Sequence, residues 1–317
     1  MKEFKKIMTG VLSLGLIALL VTIYGCTSAE TTTGKLAFQQ KDFEKAAVEL
    51  AKGLQIDKQD SEGWYMLGVS LIQIGTNSGD YSKLSEGKKA LNEALKLNPG
   101  YGDEVLAFWG LNFNSAVNYF NDGAKSINKG DSVSSKKYFE KALLYSTAAF
   151  NIIPDSLEAY RIAADIHHLN GNTAEAINIY ETVFEKSKSQ SDASMLAKYY
   201  YEKGLKQRQA EQYDDAINSF KKTFNIPGIA KDNKYYEFSV FNLGIAYYQK
   251  ASKIALENSG DYKPLLQECV KYLEPLSNTA KDKTLLKDVY EFLVNAYDAL
   301  GEDAKKEEAN RKKLELQ

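Results

Sequence analysis

Helix-ending turns recur along the whole chain, and they limit its fold more than any other feature. The pentapeptide NSGDY occurs twice, at 77–81 and at 258–262, each time between two apolar helix-like runs. Glycine adopts the left-handed conformation that ends a helix, and the aspartate after it can cap the next helix. A calcium loop is the alternative, but Asp80 and Asp261 lack companion acids at the required spacing. The pattern predicts a series of helices joined by short turns.

The composition agrees with a helical chain. Hydrophobic residues make up 44% of the 317 residues, and proline occurs only five times. Leu, Ala, Lys, Glu and Tyr recur at i, i+3 and i+4 spacing, which is typical of amphipathic helices. The formal net charge is −2, with both signs interspersed, so the chain has no basic field for nucleic acid. We therefore expect an all-α protein that does not bind nucleic acid.

The N-terminus has the features of a targeting segment. Lysines stand at positions 2, 5 and 6, an uncharged and largely apolar run covers 7–23, and Gly25 precedes Cys26. This arrangement resembles the signal of bacterial lipoproteins, whose cleavage leaves the cysteine to carry lipid. The resemblance implies a signal peptide at 1–25, lipidation of Cys26, a short polar tether at 26–33 and a folded domain at 34–317.

An uncleaved membrane helix is the alternative for this segment. Tyr24 stands where the lipoprotein pattern has a small residue. The apolar run also reaches the lower limit for a membrane span, about 17 residues.

Beyond the N-terminus, a spacing of small and large residues repeats. Two segments share one template, namely Trp64, Leu67, Gly68 and Leu71, and then Val240, Leu243, Gly244 and Tyr247. A second signal follows some of the small residues after twelve and sixteen positions: Ala176 and Tyr180 follow Ala164, Ala216 and Phe220 follow Gly204, and Ala46 and Leu50 follow Gly34. A cruder copy pairs Gly123 with Phe139 and Ala142.

This pattern resembles the tetratricopeptide repeat (TPR), a helix-turn-helix unit. Its small residues let the two helices of a hairpin approach closely, while its large residues fill the space between hairpins. The resemblance implies an all-α fold, a right-handed α-solenoid of six to seven TPR-like hairpins. Other helical solenoids with repeats near 40 residues remain the alternative. The hairpins after Gly68 and Gly244 are stretched, and we expect the two NSGDY copies to close them at Gly79 and Gly260.

The same resemblance implies a binding surface. In TPR proteins the first helix of each hairpin lines a concave groove, which here would bind a protein or peptide partner. Aromatic residues and arginine are typical of binding hot spots. The alternative is that these residues are core. The predicted groove residues are Tyr65, Ile72, Phe120, Arg161, His168, Tyr201, Arg208, Phe238, Phe241 and Tyr248.

The sequence gives little sign of catalysis. It has no phosphate loop, no CxxC, no HExxH and no G-x-S-x-G motif. Its two histidines, His167 and His168, are neighbours, so on a helix they point about 100° apart and cannot share a metal as an i, i+4 pair would. We expect no cofactor, no metal site and no enzymatic activity. Cys269 lies among leucines and a valine, and we expect it to be a small core residue.

These observations suggest two functions. The first is a membrane-anchored TPR lipoprotein that serves as a protein–protein interaction scaffold or assembly factor in the bacterial cell envelope. We expect it at the periplasmic face of the outer membrane. The alternative is an envelope lipoprotein that binds a small molecule or glycan in an aromatic pocket.

The substitution Cys26→Ser tests the lipid anchor. It removes the only sulfur at the predicted processing site, so the protein should leave the lipoprotein pool that detergent extracts from membranes. The measurement is the distribution of the protein between membrane and soluble fractions. Unchanged membrane association would instead support the uncleaved helix.

Overall fold

The computed structural model describes residues 28–316, which form fourteen α-helices and no β-strand. The helices are α1 (Ala29–Gln39), α2 (Phe43–Ile56), α3 (Ser61–Ser78), α4 (Tyr81–Leu97), α5 (Gly102–Asn128), α6 (Ser132–Ile152), α7 (Leu157–Leu169), α8 (Thr173–Ser187), α9 (Gln190–Gln209), α10 (Tyr213–Phe224), α11 (Lys234–Glu257), α12 (Lys263–Thr279), α13 (Lys283–Leu300) and α14 (Asp303–Leu314). A 3₁₀ turn, Pro99–Tyr101, precedes α5.

Six pairs of successive helices pack as helix-turn-helix hairpins, namely α1–α2, α3–α4, α5–α6, α9–α10, α11–α12 and α13–α14, and a short turn likewise joins α7 to α8. The prediction of an all-α chain of six to seven TPR-like hairpins is confirmed. The chain divides into two compact units, one ending at Ile162 and the other beginning at Ala163. We call them unit 1 and unit 2, and we call the odd-numbered and even-numbered helices the first and second helices of their hairpins.

The start of the fold differs from the prediction. Helix α1 begins at Ala29, five residues before the predicted domain boundary at Gly34. Ser28 caps it, because its hydroxyl oxygen accepts a hydrogen bond of 3.0 Å from the amide of Thr31. Residues 29–33 are therefore helical rather than a tether. The predicted signal peptide and Cys26 lie outside the described residues.

A close contact between a small and a large residue holds the hairpins together. A Cβ atom added to Gly34, Gly123 or Gly204 would lie only 2.6–2.7 Å from a side-chain carbon of the opposite helix. The partners are Leu50, Phe139 and Phe220, the large residues that the sequence pattern paired with these glycines. The helix axes can approach this closely only because the glycines have no side chain.

The first stretched hairpin, α3–α4, repeats this contact along its length. Gly68 faces Leu91, Gly87 faces Ile72 and Gly75 faces Leu84, each within 2.6–2.7 Å of an added Cβ atom. The three pairs follow one antiparallel register, and the glycines alternate between the two helices. The extra length of this hairpin is therefore as tightly packed as the rest of it.

The two NSGDY copies end their helices differently. In the first copy Gly79 has φ of 78° and ends α3, and the carboxylate of Asp80 accepts a hydrogen bond of 2.9 Å from the amide of Ser82, as predicted. In the second copy Asn258 ends α11 with φ of 47°, so the prediction for Gly260 is wrong. Asparagine also tolerates the left-handed region. Pro264, a residue favoured in the first turn of a helix, then fixes the start of α12 at Lys263.

Cys269 is the small core residue that its neighbours indicated. It is fully buried in the core of unit 2, beside Leu273 and Leu276. This burial raises the pKa of its thiol to about 12. The thiol is therefore neutral at physiological pH.

The packing glycines can be tested with Gly244→Leu. A Cβ atom at Gly244 would already lie 2.6 Å from Leu273, so a leucine should overpack the α11–α12 hairpin and lower the free energy of unfolding by ~1–3 kcal/mol. The matched control is Gly110→Leu in α5, where an added Cβ atom meets nothing within 4 Å. The control should gain up to about 1 kcal/mol from helix propensity. Equal stabilities in chemical denaturation would show that the contact at Gly244 does not limit the packing.

Candidate functional site

The predicted groove residues of unit 1 do not form one cluster. Tyr65 stacks on Tyr101, with ring centroids 5.0 Å apart and planes 10° apart. Phe120 instead lies against Phe139 of its own hairpin, at 5.7 Å. The guanidinium of Arg161 lies 3.4 Å from the carboxylate of Glu158, one turn away on α7. Each of these side chains therefore contacts a different neighbour.

Ile72 is a core residue, and its prediction as a groove residue is wrong. Its side chain is fully buried with Leu84 and Leu91. The physical reason is the α3–α4 contact, in which Ile72 is the large residue that faces Gly87. A partner on the surface of α3 cannot reach it.

In unit 2 the predicted residues come together on the first helices. His168 belongs to α7, Tyr201 and Arg208 to α9, and Phe238, Phe241 and Tyr248 to α11. We call the surface that these helices form with α13 the first-helix face. It has a polar part on α7 and α9 and an aromatic part that extends to α13.

The polar part is a set of paired groups. The Nε2 atom of His168 lies 2.7 Å from the carboxylate of Glu202, and its ring stacks on Tyr199 at 4.4 Å. The hydroxyl of Tyr199 donates a hydrogen bond to the carboxylate of Asp165. Lys198 lies 4.0 Å from Glu202 as well. These contacts fix the side chains between α7 and α9.

Burial controls the protonation of this set. Desolvation raises the pKa of Asp165 and outweighs the hydrogen bond from Tyr199, which lowers it. Desolvation also lowers the pKa of His168, against the nearby charge of Glu202. The imidazole is therefore biased towards its neutral form, in which Nε2–H can donate to Glu202. The set is a structural network whose donors and acceptors largely satisfy one another.

The aromatic part consists of two groups of rings. Tyr201 lies 5.9 Å from Tyr235 and 6.0 Å from Phe238. Phe238 is 37% exposed, the highest value among the predicted aromatic residues in unit 2. The second group contains Phe241 and Tyr248, which both contact Phe292 of α13 edge to face, at 6.0 Å and 5.5 Å. The rings support one another and present partly exposed apolar surface.

Arg208 is an incompletely hydrogen-bonded charged residue of this face, on which the Nδ1 atom of His168 also lacks a partner. Its Nη1 atom donates only a long hydrogen bond of 3.3 Å to Gln249, and its buried Nε atom has no partner. Burial lowers the pKa of the guanidinium, although arginine remains charged at physiological pH. No carboxylate forms an ion pair with it among the described residues. A half-buried arginine in this state can accept a carboxylate from outside the chain.

Several members of the face were not predicted from the sequence. They include Tyr199, Glu202, Tyr235, Gln249 and Phe292. Phe292 could have been found, because it precedes the buried Ala296 by the same four positions that separate Val240 from Gly244. Gln249 carries no such signal, since its role depends on the spatial contact between α9 and α11.

Comparisons with known proteins give structural likeness only. No protein-family model matches the sequence, and no curated protein matches it. The C-terminal part of a TPR repeat-containing protein from Cytophaga hutchinsonii is 16% identical, with 90% of this chain and 95% of that chain covered and a TM-score of 0.38. A TPR repeats protein from Bacteroides fragilis is 14% identical, with 90% and 100% covered and a TM-score of 0.32. The type IV pilus biogenesis factor PilW is 16% identical, with 82% and 96% covered and a TM-score of 0.33.

The chain folds as TPR-like hairpins. The decisive observations are its own helix pairs and packing glycines, which follow the pattern that the sequence indicated. Within residues 28–316, no group of three or more His, Cys, Asp or Glu residues could hold a metal ion. Among the same residues, none of the helices combines the length and the apolar character that a membrane span requires. That the protein is not an enzyme stays a prediction.

The Tyr199–Asp165 hydrogen bond can be tested with Tyr199→Phe. The change leaves a largely buried carboxylate without its donor, so the free energy of unfolding at pH 7 should fall by about 1–3 kcal/mol. The pKa of Asp165 is higher in the folded protein than in the unfolded chain. Its carboxyl group therefore stabilises the fold at a pH below the unfolded pKa, and this stabilisation is lost as the pH rises through the folded pKa. Loss of the Tyr199 hydroxyl raises the pKa of Asp165 further. The deficit of the variant should therefore be smaller at pH 4 than at pH 7.

The control is Tyr290→Phe, which removes a hydrogen bond to the carbonyl oxygen of Ser277. That acceptor does not titrate, so its cost should be the same at both pH values. A pH-independent deficit for Tyr199→Phe would contradict the role given to Asp165. Denaturant unfolding of both variants at the two pH values is the measurement.

Proposed function

We propose that the protein is a lipid-anchored scaffold of the bacterial cell envelope that binds a protein partner on the first-helix face of unit 2. The observation that carries this proposal is Arg208, a half-buried guanidinium without a carboxylate partner beside partly exposed aromatic rings. Arginine and aromatic residues in such surroundings are typical hot spots of protein interfaces.

The surface favours one kind of partner segment. The rings of Phe238, Phe241 and Tyr248 offer apolar contact, and Arg208 offers a charge-assisted hydrogen bond. A peptide segment with apolar side chains and a carboxylate would satisfy both. A hydrogen bond from a charged group contributes about 1.5–3 kcal/mol when its partner is present.

The location rests on the N-terminal sequence. The basic start, the apolar run at 7–23 and Cys26 support export and lipidation. Two or three acyl chains would hold the protein on a membrane firmly, whereas one chain gives only marginal binding. The periplasmic face of the outer membrane is the location that we propose.

The test is a crosslinked pull-down from detergent-solubilised membranes. It compares the wild type with the double variant Phe241→Ala, Tyr248→Ala, after unfolding curves have shown that the variant is folded. The matched control is Val48→Ala, Tyr81→Ala, which removes two exposed apolar side chains from second helices of unit 1. We expect one protein to be lost only from the first variant.

The partner found in this way is then titrated against Arg208→Gln. Loss of the charged donor should weaken binding by about 1.5–3 kcal/mol. A partner retained by the Phe241/Tyr248 variant, or an unchanged affinity for Arg208→Gln, would overturn the proposed surface.

A further inference from the structure

Helix α5, which has 27 residues, carries an apolar stripe that unit 1 leaves partly open. The members of the stripe recur every three or four positions, which places them on one side of the helix. None of them is buried, and the side chains of Leu106 and Ile127 are 52% and 48% exposed. We call this set the α5 stripe. It consists of Leu106, Gly110, Phe113, Val117, Phe120, Ala124 and Ile127.

The glycine of the stripe has no packing partner within the chain. A Cβ atom added to Gly110 would meet nothing within 4 Å. Every other glycine in the interior of a described helix would place a Cβ atom within 3 Å of another residue. Glycine inside a helix costs ~0.5–1 kcal/mol relative to alanine, and close packing requires it at those other positions. By the same rule, Gly110 marks the close approach of a helix from another molecule.

The surroundings of the stripe are typical of a protein interface. No charged residue occurs from 105 to 121, although charged residues make up 26% of the chain. Depletion of charged residues distinguishes the core of an interface from the remaining surface. Asn114 and Asn121 border the stripe at helical spacing and are exposed. Asparagine both donates and accepts hydrogen bonds, so two identical copies of this edge can meet without charge repulsion.

The stripe is complementary to itself when two copies of α5 run antiparallel. With a two-fold axis at the level of Ser115, residues at equal distances before and after Ser115 face each other across the pair. Each facing pair then joins a large and a smaller side chain, as interdigitating layers require. The facing pairs are Gly110 with Phe120, Leu106 with Ala124, and Phe113 with Val117.

The pairing of Gly110 with a phenylalanine repeats a contact that the chain already uses. Within the chain, Gly123 lies against Phe139 and Gly204 lies against Phe220. A parallel pair would instead place each residue opposite its own copy, so that rings would meet rings and two glycines would leave a gap. The antiparallel pair fills the open space at Gly110.

We infer that two copies of this chain associate through the α5 stripe as an antiparallel helix pair with a two-fold axis. Such a contact uses the same surface of both copies and closes on itself, so it ends at a dimer. The inference goes beyond the proposed scaffold function and does not depend on it. The α5 stripe belongs to unit 1, whereas the first-helix face belongs to unit 2.

Cysteine crosslinking of the full chain in a non-ionic detergent tests the register. Leu106→Cys and Ala124→Cys are made as separate variants and are oxidised both alone and as a mixture. In the antiparallel pair, position 106 lies 18 residues along the axis from its own copy, about 27 Å, and the same holds for position 124. Neither variant should therefore crosslink alone, whereas the mixture should give a disulfide-linked dimer on a non-reducing gel.

Two controls define the background of this experiment. The wild type shows any crosslinking through its own cysteines, of which Cys269 is buried and has a thiol pKa raised to about 12. The second control mixes Leu106→Cys with Asn118→Cys. Asn118 is exposed on the same helix but lies one row further from the stripe than Asn114. This mixture should remain uncrosslinked.

A side chain at Gly110 should separate the two copies. The fold leaves room for it, so Gly110→Gln should fold normally, but in the dimer it would overlap Phe120 of the second copy. Association should weaken at least about tenfold. The matched control Asn118→Gln lies outside the stripe and should leave association unchanged. Sedimentation equilibrium over a range of protein concentrations is the measurement, and unfolding curves at a concentration where the wild type is monomeric check the fold.

Three results would overturn the inference. They are a wild type that stays monomeric at the highest concentration reached, crosslinking of Leu106→Cys alone as strong as that of the mixture, and unchanged association of a folded Gly110→Gln. A monomeric wild type whose Gly110→Gln variant loses a different protein in the pull-down would assign the stripe to that protein instead. None of these results bears on the first-helix face, whose partner is judged by the Phe241 and Arg208 variants.

Discussion

The close approach of two helices at a glycine is the interaction on which the other features of the fold depend. At Gly34, Gly123, Gly204 and Gly244 the opposite helix occupies the volume of a Cβ atom. Because the contact admits no side chain, it fixes the axial register of each hairpin. The register then determines which residues of the first helix are buried and which reach the surface, as Ile72 and Phe238 illustrate. The binding surface is therefore a consequence of the packing contacts.

The hairpins could be predicted because this contact leaves a spacing in the sequence. Three glycines and their large partners were paired correctly, and the helix end at Gly79 was identified from local chemistry. The errors occurred where two residues can do the same task. Asn258 replaced Gly260 as the left-handed residue, and the cap at Ser28 extended α1 beyond its expected start. Local propensity allows either residue to take the role, so it does not distinguish such alternatives.

The site was predicted less completely than the fold. A helical period places a residue on a face, but a position on a face does not show whether a neighbour covers it. Ile72 therefore had the spacing of a groove residue and the environment of a core residue. The unpaired state of Arg208 could not be predicted either, because it depends on the absence of a nearby acid in space.

The stretched hairpins have a consequence for how such a chain can change in evolution. Sixteen residues separate the glycine from its partner in three hairpins, against 23 between Gly68 and Leu91 and 29 between Gly244 and Leu273. The added residues all lie on the turn side of the contact, so both helices lengthen while the contact stays in place. Insertions at a turn can therefore accumulate without disturbing the packed part of the repeat. Insertions and deletions between related sequences should therefore be concentrated at the NSGDY turns.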